Sequence, residues 1–321
     1  MMFHKVRYQD YRGFKDLSLS ELGRVNLVVG RNNTGKTAFL EGLVALAQPR
    51  IITSELHKMF RIDHGNKNAR FFRWIPRDAG SLPLAMLEAG IEDGSSIETW
   101  FTTGRKELAS PNEPQRVVIK IHKGEMGVWI ADSRKTYVCP AVAVHGRAPD
   151  TVVKNYAAAA KKKGGEERIH SILNKVDPRI QKIRVDPGED GNILVVDVGL
   201  SEMIPLSQAG QGVYRMVTIL ADLIGQTPDL CCIDEIENGI HHSALETLWT
   251  GVAEAAATLG VQVFATTHSH ECLEAAHAVF ARRASYDLRV IQLYQKDGAI
   301  DGRVLDPEMI RAGIEGQIDL R

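Results

Sequence analysis

Only four cysteines occur in 321 residues, Cys139, Cys231, Cys232 and Cys272, and no two form a C-x-x-C pair. That fits a reducing cytosol better than a disulfide framework or a zinc site. No apolar run is long enough to span a bilayer, and no cleavable signal opens the sequence, so the expectation is a cytoplasmic protein without membrane contact. A net charge of −1 leaves no overall attraction to nucleic acid or a membrane surface; such binding would need a local patch. There is no internal repeat, and low complexity is confined to the alanine and lysine tract at 157–163. What is present, 44% hydrophobic and 25% charged residues, is the composition of a folded chain with an ample core in one large or two ordinary domains.

Residues 30–37 read GRNNTGKT, the spacing G-x-x-x-x-G-K-[ST]. A loop so built turns backbone N–H groups toward a polyphosphate; Lys36 reaches the β/γ-phosphates and the Thr37 hydroxyl holds Mg2+. Gly30, Asn32, Asn33, Thr34 and Gly35 supply the cradle. The β-branched run at 25–29 precedes it, and Phe39, Leu40, Leu43, Val44 and Ala47 follow at helical spacing, so the context is strand, loop, helix. A phosphate there meets unpaired amides and the positive end of the helix dipole.

The second half carries matching chemistry. Residues 229–235, DLCCIDE, read as a buried strand ending in two carboxylates, which are costly to bury unless they face a cation or water. Beside a P-loop, Asp234 is placed for Mg2+ and Glu235 for the attacking water. Residues 261–267, VQVFATT, form another buried strand running into His268, a candidate γ-phosphate sensor. A metal site is the alternative, because His268 and His270 would share a face if the strand continued, with Glu271 beside them. Apolar stripes at 213–223 and 245–259 read as core helices, so strand and helix alternate around a mostly parallel sheet. Residues 206–212, LSQAGQG, form a glycine-rich, hydroxyl-bearing turn that opens a helix but has no lysine. Ser207, Gly210 and Gly212 fit a turn that caps the γ-phosphate held by a second copy, making ATP the link of a head-to-tail dimer.

Together these segments resemble the ABC-type ATPase heads of the SMC, RecF and OLD-like group, bacterial AAA ATPases that include ATPase subunits of two-component anti-phage systems. Residues 11–15, YRGFK, are similar to the group's first hairpin, which implies that Arg12 contacts nucleotide. Residues 30–37 match its Walker A, Asp234 and Glu235 its Walker B with the catalytic glutamate, 237–241 its D-loop, and His268 its switch histidine. The implied fold is an α/β P-loop head with a mostly parallel central sheet, an antiparallel side sheet and a helical insertion. The signature turn departs from the transporter form, and no Q-loop glutamine is assigned. The chain has no sustained heptads of the SMC kind and no room after residue 311 for a TOPRIM nuclease, so the expectation is a bare head.

The expected division is an ATPase core at 1–50 plus 167–321 with an insertion at 51–166. Within the insertion, 96–102, 117–121 and 128–130 read as short strands. Arg50, Lys58, Arg61, Lys67, Arg70, Arg73 and Arg77, interleaved with Phe60, Phe71, Phe72 and Trp74, could grip nucleic acid, although a cationic face over a core suits the pattern better. Lys161, Lys162 and Lys163 read as an exposed loop. Residues 174–177 spell the guanine-reading NKxD, but Ile169, Ile172, Leu173 and Val176 sit at helical spacing, so ATP is favoured over GTP. The functional expectation is an ATP-driven switch acting on a separate effector, a nuclease or toxin. The rivals are a RecF-like ATPase that clamps DNA and a scaffold that binds ATP without useful turnover.

Overall fold

The computed structural model describes residues 2–48, 85–103, 116–122, 125–130, 138–142, 147–188 and 191–316. Strands β1 (Phe3–Tyr11) and β2 (Phe14–Ser20) form a hairpin, and β3 (Val25–Val29) leads through the glycine-rich loop into α1 (Lys36–Ala47). Strands β4 (Ala85–Ile91), β5 (Ser96–Thr103), β6 (Arg116–His122), β7 (Glu125–Ile130) and β8 (Ala141–Val142) follow. Next come α2 (Pro149–Ala160), α3 (Gly165–Val176), β9 (Lys182–Gly188), β10 (Gly191–Asp197), β11 (Ile204–Pro205) and a 3-10 turn at Leu206–Gln208. The chain continues with α4 (Gln211–Gln226), β12 (Leu230–Ile233), α5 (Leu245–Leu259), β13 (Gln262–Thr266) and α6 (His270–Ala281), and closes with β14 (Leu288–Lys296), β15 (Ala299–Leu305) and α7 (Pro307–Glu315).

Twelve strands form one sheet in the order β7-β6-β5-β4-β1-β2-β15-β14-β3-β13-β12-β8. From β14 to β8 every pairing is parallel. This parallel part is apolar on both faces because both are covered. Val25, Leu27 and Val29 of β3 join Val263 and Ala265 of β13 in the core beneath α2–α6, while Val28 and Phe264 point to the opposite core around α1 and the hairpin. Helix α1 is therefore buried along nearly its whole length.

The antiparallel strands expected as a side sheet are present but continue the main sheet. Nine-residue β1 offers both edges, pairing with β2 on one and β4 on the other. One pair in this flank, β5 with β6, is parallel. Strands β9–β11 form a separate antiparallel sheet. The described parts of 51–166 do not stand apart from the rest: Val152, Val153, Tyr156 and Ala159 of α2 lie in the same core as α4.

Helices α2 and α4 touch backbone to backbone, for a Cβ on Gly225 would collide with the carbonyl oxygen of Asn155. The contact is pinned by Asp222 on α4, 1% exposed, which accepts from Arg147, Asn155 and Gln226. Lys162 departs from the expected loose loop: its Nζ donates to the Ile224 carbonyl at 2.7 Å and to Thr227 Oγ1 at 3.3 Å. A cation there meets the orphan carbonyls and negative dipole end of α4, which holds the tract in place. Residues 174–177 lie at the end of α3, not after a strand, as the spacing implied. The basic and aromatic stretch at 50–78 lies outside the described residues.

Candidate nucleotide site

The loop after β3 is shaped by backbone that only certain residues tolerate. A Cβ on Gly30 (φ +154°) would meet the Leu293 carbonyl oxygen and Thr34 Oγ1 at 2.5 Å each. Gly35 (φ +79°) sits at the N-terminus of α1, and Asn33 (φ +64°) is a side chain that accepts this region. Residues 32–38, with Gly13, His268 and Ile300, line an open cavity of about 450 Å3.

Lys36 is 6% exposed and folds back along the loop, Nζ donating to the carbonyls of Gly30 at 2.6 Å and Arg31 at 3.0 Å. Burial lowers its pKa to about 8, against the opposing pull of Asp234, Glu235 and Glu237. Beside it, Thr37 Oγ1 donates to Asp234 Oδ2 at 3.0 Å, joining positions 197 residues apart. Asp234, 3% exposed, also accepts from Thr266 Oγ1 at 2.6 Å. The same Thr266 oxygen accepts from the Glu235 amide at 2.8 Å.

Glu235 turns out of β12 with φ +45°, a left-handed conformation uncommon in a non-glycine residue. Its Oε1 lies 3.7 Å from His268 Nε2. Burial, then the charge of Lys36, pushes the His268 pKa below its ordinary value, so the ring is neutral at pH 7. The His268 amide donates to Glu237 Oε1 at 2.8 Å, which ties the end of β13 to the loop after β12.

The His268–His270 metal alternative loses its premise. Strand β13 stops at Thr266, Ser269 caps α6, and His270 is a helix residue with Nδ1 3.2 Å from Glu274. Among the described residues no group of three His, Cys, Asp or Glu side chains could hold a metal.

Several expected contributors lie outside the cavity lining: Gly30, Asp234 and Glu235, and also Arg12 and the turn at 207–212. Arg12, in the turn beside Gly13, points Nη2 to Glu41 Oε2 at 3.2 Å; Glu41 is fully buried in α1. Ser207, Gly210 and Gly212 stand at the opening of α4, where a Cβ on Gly212 would come within 2.9 Å of the Gly239 carbonyl oxygen. Sequence reasoning missed Thr266, although it ends a buried strand two residues before His268. Arg215 also escaped notice; a lone arginine within the apolar stripe of α4 was its signal.

A family described as "AAA domain, putative AbiEii toxin, Type IV TA system" matches residues 113–274, half of the chain. The chain belongs to this AAA-domain family. Among curated relatives, an "ATP/GTP phosphatase" of Helicobacter pylori (strain ATCC 700392 / 26695) is 21% identical, over 99% of this chain and all of that protein. The DNA replication and repair protein RecF of Psychromonas ingrahamii is 28% identical over 99 residues, 31% of this chain and 26% of RecF. Among solved structures, the SMC head bound to the C-winged helix domain of ScpA superposes with a TM-score of 0.53 at 11% identity, covering 95% of this chain and 98% of that one. The SMC head domain from Thermotoga maritima gives 0.51 at 13% identity, covering 95% and 100%. This AAA-family chain has the fold of the SMC head domains, with a large mixed sheet, a small antiparallel sheet and surrounding helices.

Proposed function

We propose that this chain is a molecular switch that binds ATP with Mg2+ in the loop cavity, closes head to tail on a second copy, hydrolyses the nucleotide and reopens. The observation that carries the reading is the 3.0 Å contact between Thr37 and Asp234, with Glu235 and His268 beside it. A hydroxyl and a carboxylate side by side are the hard oxygen donors that suit Mg2+, a cation that keeps most of its waters; Thr37 and Asp234 would hold it. When bound, Mg2+ would offset the negative charge that builds up on the phosphates. Lys36 exchanges its loop carbonyls for phosphate oxygens, and the amides of 32–37 face the phosphates at the start of α1. Glu235 orients the attacking water and takes its proton, while neutral His268 hydrogen-bonds the γ-phosphate side. Arg12 reaches the nucleotide from the hairpin turn.

Ser207 and Gly210 are exposed, and Ser207 borders a different cavity with Pro149, Val152 and Leu206, which supports a composite site in which the turn caps a second copy's γ-phosphate. Driving such a switch from almost wholly open to almost wholly closed requires about 5.5 kcal/mol of differential affinity, within reach of several charge-assisted phosphate contacts. The output would pass to a separate effector, a nuclease or toxin in anti-phage defence; the toxin–antitoxin wording of the matched family supports that direction. Residues 1–50 and 167–321 would be the catalytic core and 51–166 its elaboration, in a cytoplasmic protein. Among the described residues no helix is long and apolar enough to cross a membrane.

Glu235→Gln tests the reading. Phosphate release should fall by at least about 100-fold, while the protein accumulates as an ATP-bound dimer in sedimentation. Turnover at the native rate would overturn it and leave an ATP-binding scaffold. The RecF likeness supports a second reading, in which closure clamps DNA. That reading requires DNA affinity that rises with ATP and falls steeply with salt.

A further inference from the structure

Arg215 sits in the second turn of α4, eight residues after Ser207, and is 5% exposed. Its Nη2 donates to the main-chain carbonyl of Asp234 at 2.6 Å and to that of Glu235 at 3.2 Å. Burying a guanidinium is costly, and the neighbouring carboxylates of Asp234, Glu237, Glu235 and Asp222 offset part of that cost. Burial lowers its pKa to about 10, with Asp234, Glu237 and Glu235 opposing, so it stays charged at neutral pH. The carbonyls it grips flank the φ of +45° that turns Glu235 toward His268.

A second contact joins the same two segments. Gly212 lies so close to Gly239 that an added Cβ would come within 2.9 Å of its carbonyl oxygen, and an added Cβ on Gly239 would meet Cβ of Gln211 at 3.3 Å. The start of α4 is thus clamped at both ends of the loop that begins with the two carboxylates. Close-packed contacts of this kind transmit displacement and absorb little of it.

Resting on Glu235 as the residue that activates water, we propose that Arg215 is a positioning residue. It holds the backbone of Asp234 and Glu235 in the strained geometry that aims the Glu235 carboxylate. Through it, movement of the turn at Ser207 and Gly210 reaches the carboxylate of its own protomer. Arg215 touches no nucleotide; it acts on the rate of hydrolysis and not on ATP affinity.

The test compares Arg215→Met, Arg215→Lys and Glu235→Gln in the full chain with ATP and Mg2+. Displacing a reacting group by about an ångström costs on the order of 100-fold in rate. Arg215→Met should therefore lower kcat by that order while the Kd for ATP stays within about twofold. Arg215→Lys, whose shorter side chain stops short of the position Nη2 occupies, should lose about tenfold. A native kcat in either folded variant overturns the inference, as does a loss of ATP affinity proportional to the loss of rate. If Arg215→Met does not fold, Arg215→Lys decides by the same criteria. Glu235→Gln separates the two claims: native turnover in that variant removes the hydrolytic reading itself, whereas an inactive Glu235→Gln beside a fully active Arg215→Met removes only the role of Arg215.

Discussion

In the proposed switch, burial prepares Lys36 for its ligand. Held in the loop with a pKa near 8, it is largely charged at pH 7 and largely neutral at pH 9. Phosphate oxygens favour the ammonium form, so nucleotide binding at pH 9 has to take up close to one proton per site, and at pH 7 little. Affinity for ATP should therefore fall as pH rises through 8. Titration calorimetry at both pH values, in buffers of different ionisation enthalpy, measures the proton count directly; equal uptake at pH 7 and 9 would contradict the assignment. Gly30 is constrained more simply. Gly30→Ala drives a methyl into the Leu293 carbonyl and the Thr34 hydroxyl, so ATP binding should be lost even where the rest of the fold survives, as binding and melting measurements on one sample would show.

Helix α4 joins three parts of the protein. Its N-terminus carries the Ser207 turn, its second turn grips the strand-end carboxylates, and its C-terminal half packs against α2. Removing the Asp222 carboxylate leaves Arg147 without its ion-pair partner and Asn155 without its acceptor in a buried contact. Asp222→Ala should destabilise the chain by about 3 kcal/mol in urea unfolding. At Gly225 the effect is steric: Gly225→Ala gains helix propensity but forces α2 off α4, with a net loss of about 1–3 kcal/mol. A change below about 0.5 kcal/mol in both variants would mean that the α2–α4 contact does not limit stability.

For the whole molecule, the issue is whether one chain completes a site. The exposed Ser207 borders a different cavity from the one the loop at 32–38 lines, so a composite site predicts that binding and turnover separate. Ser207→Arg should leave ATP affinity of the monomer unchanged, abolish ATP-dependent dimers and reduce phosphate release by about tenfold or more. Turnover in native Ser207 protein should rise more than linearly with protein concentration. Undiminished hydrolysis by Ser207→Arg would show that each chain works alone.

The loop, the paired carboxylates and the alternation of strand and helix were legible because each depends on neighbours a few residues apart. GRNNTGKT between a β-branched run and an apolar helix stripe has few other ways to fold, and two carboxylates after a buried strand have few other places to go. The alternative that paired His268 with His270 on a strand face fails because β13 stops at Thr266 and Ser269 caps a helix, a choice that packing of α6 against the sheet makes. The joining of β4–β7 to the central sheet, the grip of Arg215 on the carbonyls at 234 and 235, and the anchoring of Lys162 on α4 follow from contacts between distant segments. Local sequence set the chemistry and the kinds of element, since backbone propensity and side-chain spacing act at short range. Which groups meet was decided by tertiary packing, because burying both faces of one sheet brings together residues that no spacing rule connects.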